Sequence, residues 1–297
     1  MSKIKDLSKF SAEELEEFLM SFDIVFSDID GVIFYQGVPI IGARDSLKRL
    51  EELGKQIYLV TNNSTYTEED YHEMFDIHSN YIINPIKVFT WYLKKIDFHG
   101  EILALVSTTV WNTLTEAGLQ LVKPQTVSLL KREEVIKEIV DRPSIKAVII
   151  DFDIDCNWVK LALAISCLGR KDVLYLSGAT DEWAIVNVQN TVIKILGPGP
   201  LINLINTQTG REPLMCSKPS EILKEYVLDT CDVTDPRRCL FIGDSLNTDM
   251  KFAFMCGFMK LLVGTGLNSL KEAQEEDDAC PDYYLSNLNQ LFAAYKD

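Results

Sequence analysis

The sequence is short of the residues that the commonest metal and triad chemistries draw on. Three histidines, His72, His78 and His99, stand among 297 residues, a poor supply for a histidine-based metal centre or triad. Seven cysteines (Cys156, Cys167, Cys216, Cys231, Cys239, Cys256 and Cys280) are scattered, odd in number and without a CxxC pair. Neither a zinc knuckle nor a disulfide framework is indicated, and the plain reading is reduced thiols in a cytosolic protein. Apolar runs such as Ala147–Ile150 stay far below the ~20 residues that cross a bilayer. The opening stretch MSKIKDLSKFSAEELEEFL is charged and lacks the apolar centre of a secretion signal, so the chain reads as soluble and cytoplasmic. Positive charge is also scarce: 29 Lys and Arg against 44 Asp and Glu give a net −15. With no basic stripe, a nucleic-acid backbone is disfavoured as partner. No GxGxxG follows an apolar run and no GxxxxGK[ST] is present, which disfavours a dehydrogenase and a P-loop kinase.

What is present is an ordinary globular composition, 47% hydrophobic and 25% charged, at a length that favours two domains. Ser11 and Glu14 make a capping box for an amphipathic first helix. Asp23–Ile33 (DIVFSDIDGVI) begins as a buried strand. Ala43–Leu53 has helical spacing and stops at Gly54, Gln56–Val60 is a second apolar strand, and a helix follows from about Glu68. This alternation is the pattern of a parallel sheet with crossover helices. It returns late in the chain: a helix at Ser220–Leu228, a strand at Cys239–Ile242, a helix at Thr248–Cys256 and a strand at Lys260–Val263. Between the halves, strands at Ile102–Val106, Ala147–Ile150 and Val173–Leu176 suggest an inserted α/β domain. The expected organisation is a Rossmann-like parallel-sheet core, residues 1–97 and 205–297, with an α/β cap at 98–204.

In open α/β sheets, ligands collect at the carboxyl ends of strands, and four polar clusters stand there. Asp28-Ile29-Asp30-Gly31 puts two carboxylates around one apolar residue, an arrangement that is costly unless a cation or a proton relieves it. One carboxylate can attack phosphorus; the other can protonate a leaving alcohol and then activate water. In an extended segment the two would point to opposite faces. Thr61-Asn62-Asn63-Ser64 offers a hydroxyl and amides for phosphoryl oxygens. Lys218-Pro219 offers a cation for developing charge. Gly243-Asp244-Ser245-Leu246-Asn247-Thr248-Asp249 offers two carboxylates to a hard cation such as Mg2+. Taken singly, each reads as well as a turn, a surface lysine or an acidic helix start.

Together and in this order, DxDG, TNNS, KP and GDxxxTD resemble the haloacid dehalogenase superfamily of phosphatases. Within it the chain is similar to the branch of p-nitrophenyl, phosphoglycolate and pyridoxal phosphate phosphatases, over nearly its whole length. The resemblance implies Asp28 as nucleophile and Asp30 as acid/base. Thr61, Asn62 and Asn63, with Gly31 and Asp181, would contact the substrate or its phosphoryl group, which Lys218 would stabilise. Mg2+ would be held by Asp28, the carbonyl of Asp30, Asp244 and, in or beside that shell, Asp249. Val32–Gly42 would form a flap that moves with substrate. The implied activity is Mg2+-dependent hydrolysis of a small-molecule phosphate ester (phosphoglycolate, p-nitrophenyl phosphate or a more apolar ester) through an aspartyl phosphate. A homodimer through the cap is the implied assembly. A phosphoprotein phosphatase and a catalytically silent binding protein are the alternatives.

The chain departs from that branch in its cap. Ala179 stands where relatives often carry Asn, although Asp181 is kept, and Leu196-Gly197-Pro198-Gly199-Pro200 replaces a PGTG-like turn. GPGP reads as a turn and not as a nucleotide-binding loop, since its prolines lack N–H donors. Trp183, Ala184, Ile185 and Val186 form an apolar run that would either line the pocket or fill the cap core.

Overall fold

The computed structural model describes residues 4–35, 38–75, 81–123, 131–188, 191–275 and 279–293. His78 lies outside them. The capping box forms as expected: the Ser11 N–H donates to Glu14 Oε2 (2.8 Å), the Glu14 N–H donates to Ser11 Oγ (3.2 Å), and helix Ala12–Met20 follows.

Two parallel sheets dominate. The larger has seven strands in the spatial order Lys5–Asp6, Tyr283–Leu285, Met259–Val263, Cys239–Gly243, Ile24–Ser27, Gln56–Val60 and Ile82–Ile83, and every pairing is parallel. Ile24–Ser27 is buried at all four positions, which is why it reads as a continuous apolar run rather than an alternating one. Its two neighbours are Gln56–Val60, next along the chain, and Cys239–Gly243, nearly two hundred residues later. The strand order therefore reverses around Ile24–Ser27, and such a switch point opens a crevice at the carboxyl ends. Asp28, Thr61 and Asp244 follow those three strands directly.

The second sheet has five parallel strands, in the order Leu214–Met215, Leu174–Ser177, Ile145–Ile150, Glu101–Leu105 and Gln120–Val122. Its own order reverses between Glu101–Leu105 and Ile145–Ile150, which puts Asp151 at a second switch point. The expected boundary at residue 204 falls inside helix Gly199–Thr209. Ile202 and Ile205 of that helix pack with Leu103, Val148 and Leu163 of the second sheet's cluster, and the sheet itself extends to Met215. The sequence shows only the GPGP turn at this point, and neither the helix that follows nor the layer that it covers.

One cluster of buried side chains runs from Phe26, Val60 and Phe241 of the larger sheet, through Phe89 and Val227 on helices, to Ile102, Ala147 and Leu176 of the smaller. Each fully buried Val, Leu, Ile or Phe among them contributes about 1.5–3 kcal/mol. The opposite face of the larger sheet packs Val25, Leu59 and Ile242 against Leu15, Leu47 and Leu50. Between Ile24–Ser27 and helix Ala43–Glu52 lies a small antiparallel hairpin, Phe34–Tyr35 with Val38–Pro39. It occupies the expected flap, of which residues 36 and 37 lie outside the described set. No helix of the described residues is long and apolar enough to cross a membrane.

GPGP is more than a turn. It joins strand Thr191–Leu196 to helix Gly199–Thr209, and its glycines are forced by close packing. A Cβ on Gly197 would stand 2.1 Å from the carbonyl oxygen of Asp181, and one on Gly199 2.4 Å from that of Thr180.

Candidate active site

The strand Ile24–Ser27 ends before Asp28, so strand alternation does not set the directions of the two carboxylates. A tight turn takes over: the N–H groups of Ile33 and Phe34 both donate to the Ile29 carbonyl (2.9 and 3.1 Å). Gly31 sits at φ +88°, a conformation that side chains avoid, and a Cβ there would lie 2.3 Å from the Asp244 carboxylate. Asp28 is thereby buried, with Oδ1 accepting from the Ile29 N–H (2.7 Å). Asp30 is exposed. The Lys218 charge acts on both, so they share one cleft.

Lys218 is the hub. Its ammonium is 2.8 Å from Asp28 Oδ1 and 2.8 Å from Asp249 Oδ1, and it donates to the Val60 carbonyl at 2.7 Å. Burial opposes its charge, but Asp249 and Asp28 outweigh that and hold its pKa above the usual lysine range. Asn62 fixes the backbone there from both sides: its Oδ1 accepts from the Lys218 N–H (2.8 Å) and its Nδ2 donates to the Lys218 carbonyl (3.0 Å). Thr61 is buried, and its Oγ1 accepts from the Asn63 N–H (3.0 Å). Tyr71, also buried, donates its phenol O–H to the Asn63 carbonyl (3.3 Å).

Asp244 and Asp249 are both buried. Asp249 Oδ2 accepts from the N–H groups of Asp244 (3.0 Å) and Ser245 (3.1 Å), while its Oδ1 faces Lys218. The Asp244 Oδ2 accepts from the Leu267 N–H at 2.7 Å. Carboxylate oxygens of Asp28, Asp244 and Asp249 all lie within 4.8 Å of one another. Three carboxylates facing one ammonium leave an uncompensated negative charge in a dry site. Burial first, then Asp249, raises the Asp28 carboxyl well above its ordinary range. The same two causes push Asp244 up to about 7. Asp30 as a residue reaches solvent, but desolvation of its carboxyl group raises that group's pKa, and the neighbouring charge of Asp181 adds to it.

This donor set suits a hard divalent cation: oxygen ligands only, buried, and short of positive charge. Glycines make room for the carboxylates themselves. A Cβ on Gly266 would stand 1.8 Å from Asp244 Oδ2, and one on Gly243 2.3 Å from the Asp249 Cβ.

Asp181 is exposed, beyond the Gly197 contact, and its charge acts on Asp30. Trp183 is half exposed with the Lys194 ammonium 3.8 Å from its ring centroid; the side chains of Ala184, Ile185 and Val186 lie outside the described set. Ala179 is buried. Two features escaped the sequence reading. The segment Gly264-Thr265-Gly266-Leu267-Asn268 holds Asp244 through the Leu267 N–H, accepts the Leu246 N–H on Asn268 Oδ1 (2.9 Å), and donates the Asn268 N–H to the Asp244 carbonyl (3.1 Å). It follows an apolar strand, the signal that marked the other four clusters. The second is the burial of Asp151, at the end of Ile145–Ile150.

A haloacid dehalogenase-like hydrolase family model matches residues 25–120, and a second HAD-hydrolase-like model matches 215–291. The 4-nitrophenylphosphatase of Schizosaccharomyces pombe is 29% identical over 293 residues, 95% of this chain and 97% of that one. The glycerol-3-phosphate phosphatase of Gallus gallus is 27% identical over 305 residues, 97% of each. Among solved structures, a 4-nitrophenylphosphatase from Thermotoga maritima superposes with a TM-score of 0.74 at 19% identity, over 92% of this chain and 97% of that one.

Proposed function

The chain belongs to the haloacid dehalogenase-like hydrolases, and we propose that it is a cytoplasmic, Mg2+-dependent phosphomonoesterase acting on small phosphate esters through a phosphorylated Asp28. The observation that carries this reading is the contact of Lys218 with both Asp28 and Asp249, 2.8 Å each, beside Asp244. A nucleophile, a phosphoryl-neutralising cation and a metal-type carboxylate set thus converge at one switch point. We read the seven-stranded sheet as the catalytic core and the five-stranded sheet as its cap.

In the first step an Asp28 oxygen forms a bond to phosphorus as the bond to the leaving oxygen breaks, and Asp30 gives that oxygen a proton. In the second, water attacks phosphorus, Asp30 takes a proton from it, and Asp28 leaves as carboxylate. Lys218 balances charge on the phosphoryl oxygens, and the Thr61 hydroxyl and the turn Asn62–Asn63 bind them, with Gly31 allowing close approach. Mg2+, held by Asp28, Asp244 and the carbonyl of Asp30, would neutralise the phosphoryl group. Asp249, already engaged by Lys218 and two amides, stands behind that shell and orients it.

Asp181 bears on Asp30, the group that meets the leaving oxygen, so it belongs to the leaving-group side. Among the described residues, Lys218 is the one cation whose charge acts on either. A leaving group with its own carboxylate, as in phosphoglycolate, would face two carboxylates without a partner; nitrophenol or glycerol would not. A homodimer through the cap is part of this reading, supported by exposed Ile154 and Trp158 beside a 400 Å³ groove. Seven unpaired cysteines fit a reducing compartment.

The test is phosphate release from p-nitrophenyl phosphate, glycerol phosphate, phosphoglycolate, pyridoxal phosphate and a prenyl phosphate, with and without Mg2+, beside Asp28→Asn. Mg2+-dependent turnover that vanishes in the variant is expected, with the neutral leaving groups ahead of phosphoglycolate in kcat/KM. No turnover on any ester would overturn the reading.

A further inference from the structure

No step of the proposed chemistry uses Thr265, yet its hydroxyl reaches the turn that carries Asp30. Thr265 Oγ1 donates to the Gly31 carbonyl at 2.5 Å. The contact spans a strand: Thr265 follows Met259–Val263 and Gly31 follows Ile24–Ser27, while Cys239–Gly243 pairs with both and lies between them. Asp244 ends that middle strand. Its carboxylate is approached from both turns, since a Cβ on Gly31 would stand 2.3 Å from it and one on Gly266 1.8 Å. Leu267 and Asn268, directly beyond, hold Asp244 through their N–H groups (2.7 and 3.1 Å). Thr265 thus joins the acid/base turn to the segment that fixes Asp244.

Gly31 needs such an anchor. It sits at φ +88°, and glycine is the residue whose backbone moves most freely. The turn's start is fixed to the sheet, because the Asp28 N–H donates to the Ile242 carbonyl (2.8 Å). Its remaining backbone bonds are local. Gly31 donates to the Phe34 carbonyl (2.5 Å), Ile33 and Phe34 donate to Ile29, and Ile33 accepts from Ile40 (2.8 Å). These give the turn its shape without tying its far end to the strands. Thr265, half-buried, supplies that tie one residue after Asp30, just before the chain leaves for the hairpin Phe34–Pro39.

We propose that Thr265 is a positioning residue for Asp30: by holding the Gly31 carbonyl, it keeps the Asp30 carboxyl where it meets the leaving oxygen and then the attacking water. The kinetic consequence rests on the phosphomonoesterase reading; the structural one does not. A general acid works only within hydrogen-bond reach of the atom that it protonates, and a displacement of about 1 Å is enough to cost much of its effect. Asp30 is exposed, so its backbone sets where the carboxyl can reach. Loss of the anchor should therefore be graded by the leaving group. An alkoxide cannot depart without the proton from Asp30, whereas nitrophenolate can. Phosphoryl transfer to Asp28 is served by Lys218, and the Thr265 hydroxyl contacts Gly31 instead.

The experiment compares wild type with Thr265→Val, which keeps the branched shape and drops the hydroxyl, and Thr265→Ser, which keeps the hydroxyl. Thr265→Ala repeats the test should valine disturb the fold. The quantity read is kcat/KM with saturating Mg2+ for glycerol phosphate and for p-nitrophenyl phosphate, since it covers the steps up to departure of the leaving group. Thr265→Val is expected to lose about tenfold more on glycerol phosphate than on p-nitrophenyl phosphate, a part of what a general acid supplies. Thr265→Ser should keep the wild-type ratio. Equal losses on the two esters, or a serine variant as impaired as valine, would overturn the proposal. Hydrogen exchange needs no activity: the amides of Gly31, Ile33 and Phe34 should exchange about tenfold faster in Thr265→Val than in wild type or Thr265→Ser. Unchanged exchange would refute the anchor. An inactive wild type with faster exchange in the valine variant would support the anchor and fault the phosphatase reading alone.

Discussion

Lys218 shows how one side chain can serve the site and the fold at once. It is the only positive charge within ion-pair distance of Asp28 and Asp249, among the described residues. Removing one partner of a buried ion pair leaves an uncompensated charge and costs about 3–5 kcal/mol. Lys218→Met keeps the side chain's bulk and should lower the melting temperature sharply at pH 8. The loss should shrink at pH 5, where the stranded Asp28 carboxylate takes up a proton instead. Thermal unfolding at the two pH values measures this; an equal loss at both would mean that packing, not charge, is what Lys218 supplies. Asp28, Asp30, Asp244 and Lys218 were all legible in the sequence, because each carboxylate or ammonium sits where an apolar run gives way to polar residues. Asp151 was not. A single Asp after a strand, in Asp151-Phe152-Asp153, reads as a turn, and only the second sheet's topology shows that it is buried between two strand ends.

At the scale of elements, the site is a set of strand-end turns, and glycines set their spacing. Gly266 lies in the segment that the sequence reading passed over. An Ala there would press its Cβ to 1.8 Å from Asp244 Oδ2, so the carboxylate must turn away and the Leu267 N–H bond (2.7 Å) must break. Gly266→Ala should weaken Mg2+ binding at least about tenfold, the worth of one charge-assisted hydrogen bond, while the apo protein keeps its fold. Calorimetric titration and circular dichroism check the two halves; unchanged Mg2+ affinity would remove this segment from the site. The strands themselves were readable within a residue or two: Gln56–Val60 as expected, and Cys239–Gly243, Met259–Val263 and Leu174–Ser177 with shifted ends. Buried parallel strands are unbroken apolar runs, which explains that success. The helix Gly199–Thr209 was missed because Pro198 and Pro200 signal a turn, although proline is well tolerated at a helix start.

At the scale of the whole molecule, two parallel sheets present their carboxyl ends to a shared crevice, and the charge stored there couples stability to pH and to metal. Asp244 is held up to about 7 against an ordinary 3.8. A raised carboxyl pKa means that Asp244 takes stability from the metal-free fold as pH rises from about 4 to about 7. In chelator, the melting temperature should therefore fall across that window. Mg2+, binding the ionised carboxylates of the folded state, should restore it above pH 7. A melting temperature that ignores both pH and Mg2+ would contradict the metal assignment. That the two sheets face each other was beyond reach of periodicity, which marks elements and not how layers meet; the end of the second sheet at Met215 belongs to the same class of fact. The most direct test of the central claim, Asp28 as nucleophile, is a rapid-mixing experiment on Asp30→Asn with p-nitrophenyl phosphate and Mg2+. Nitrophenolate is a good enough leaving group to depart without a proton, whereas water still needs Asp30 to attack the phosphorylated enzyme. The account expects a burst of one nitrophenolate per active site, followed by slow turnover, and a phosphoryl adduct on the peptide that carries Asp28. A release without burst or adduct, together with an active Asp28→Asn, would contradict it.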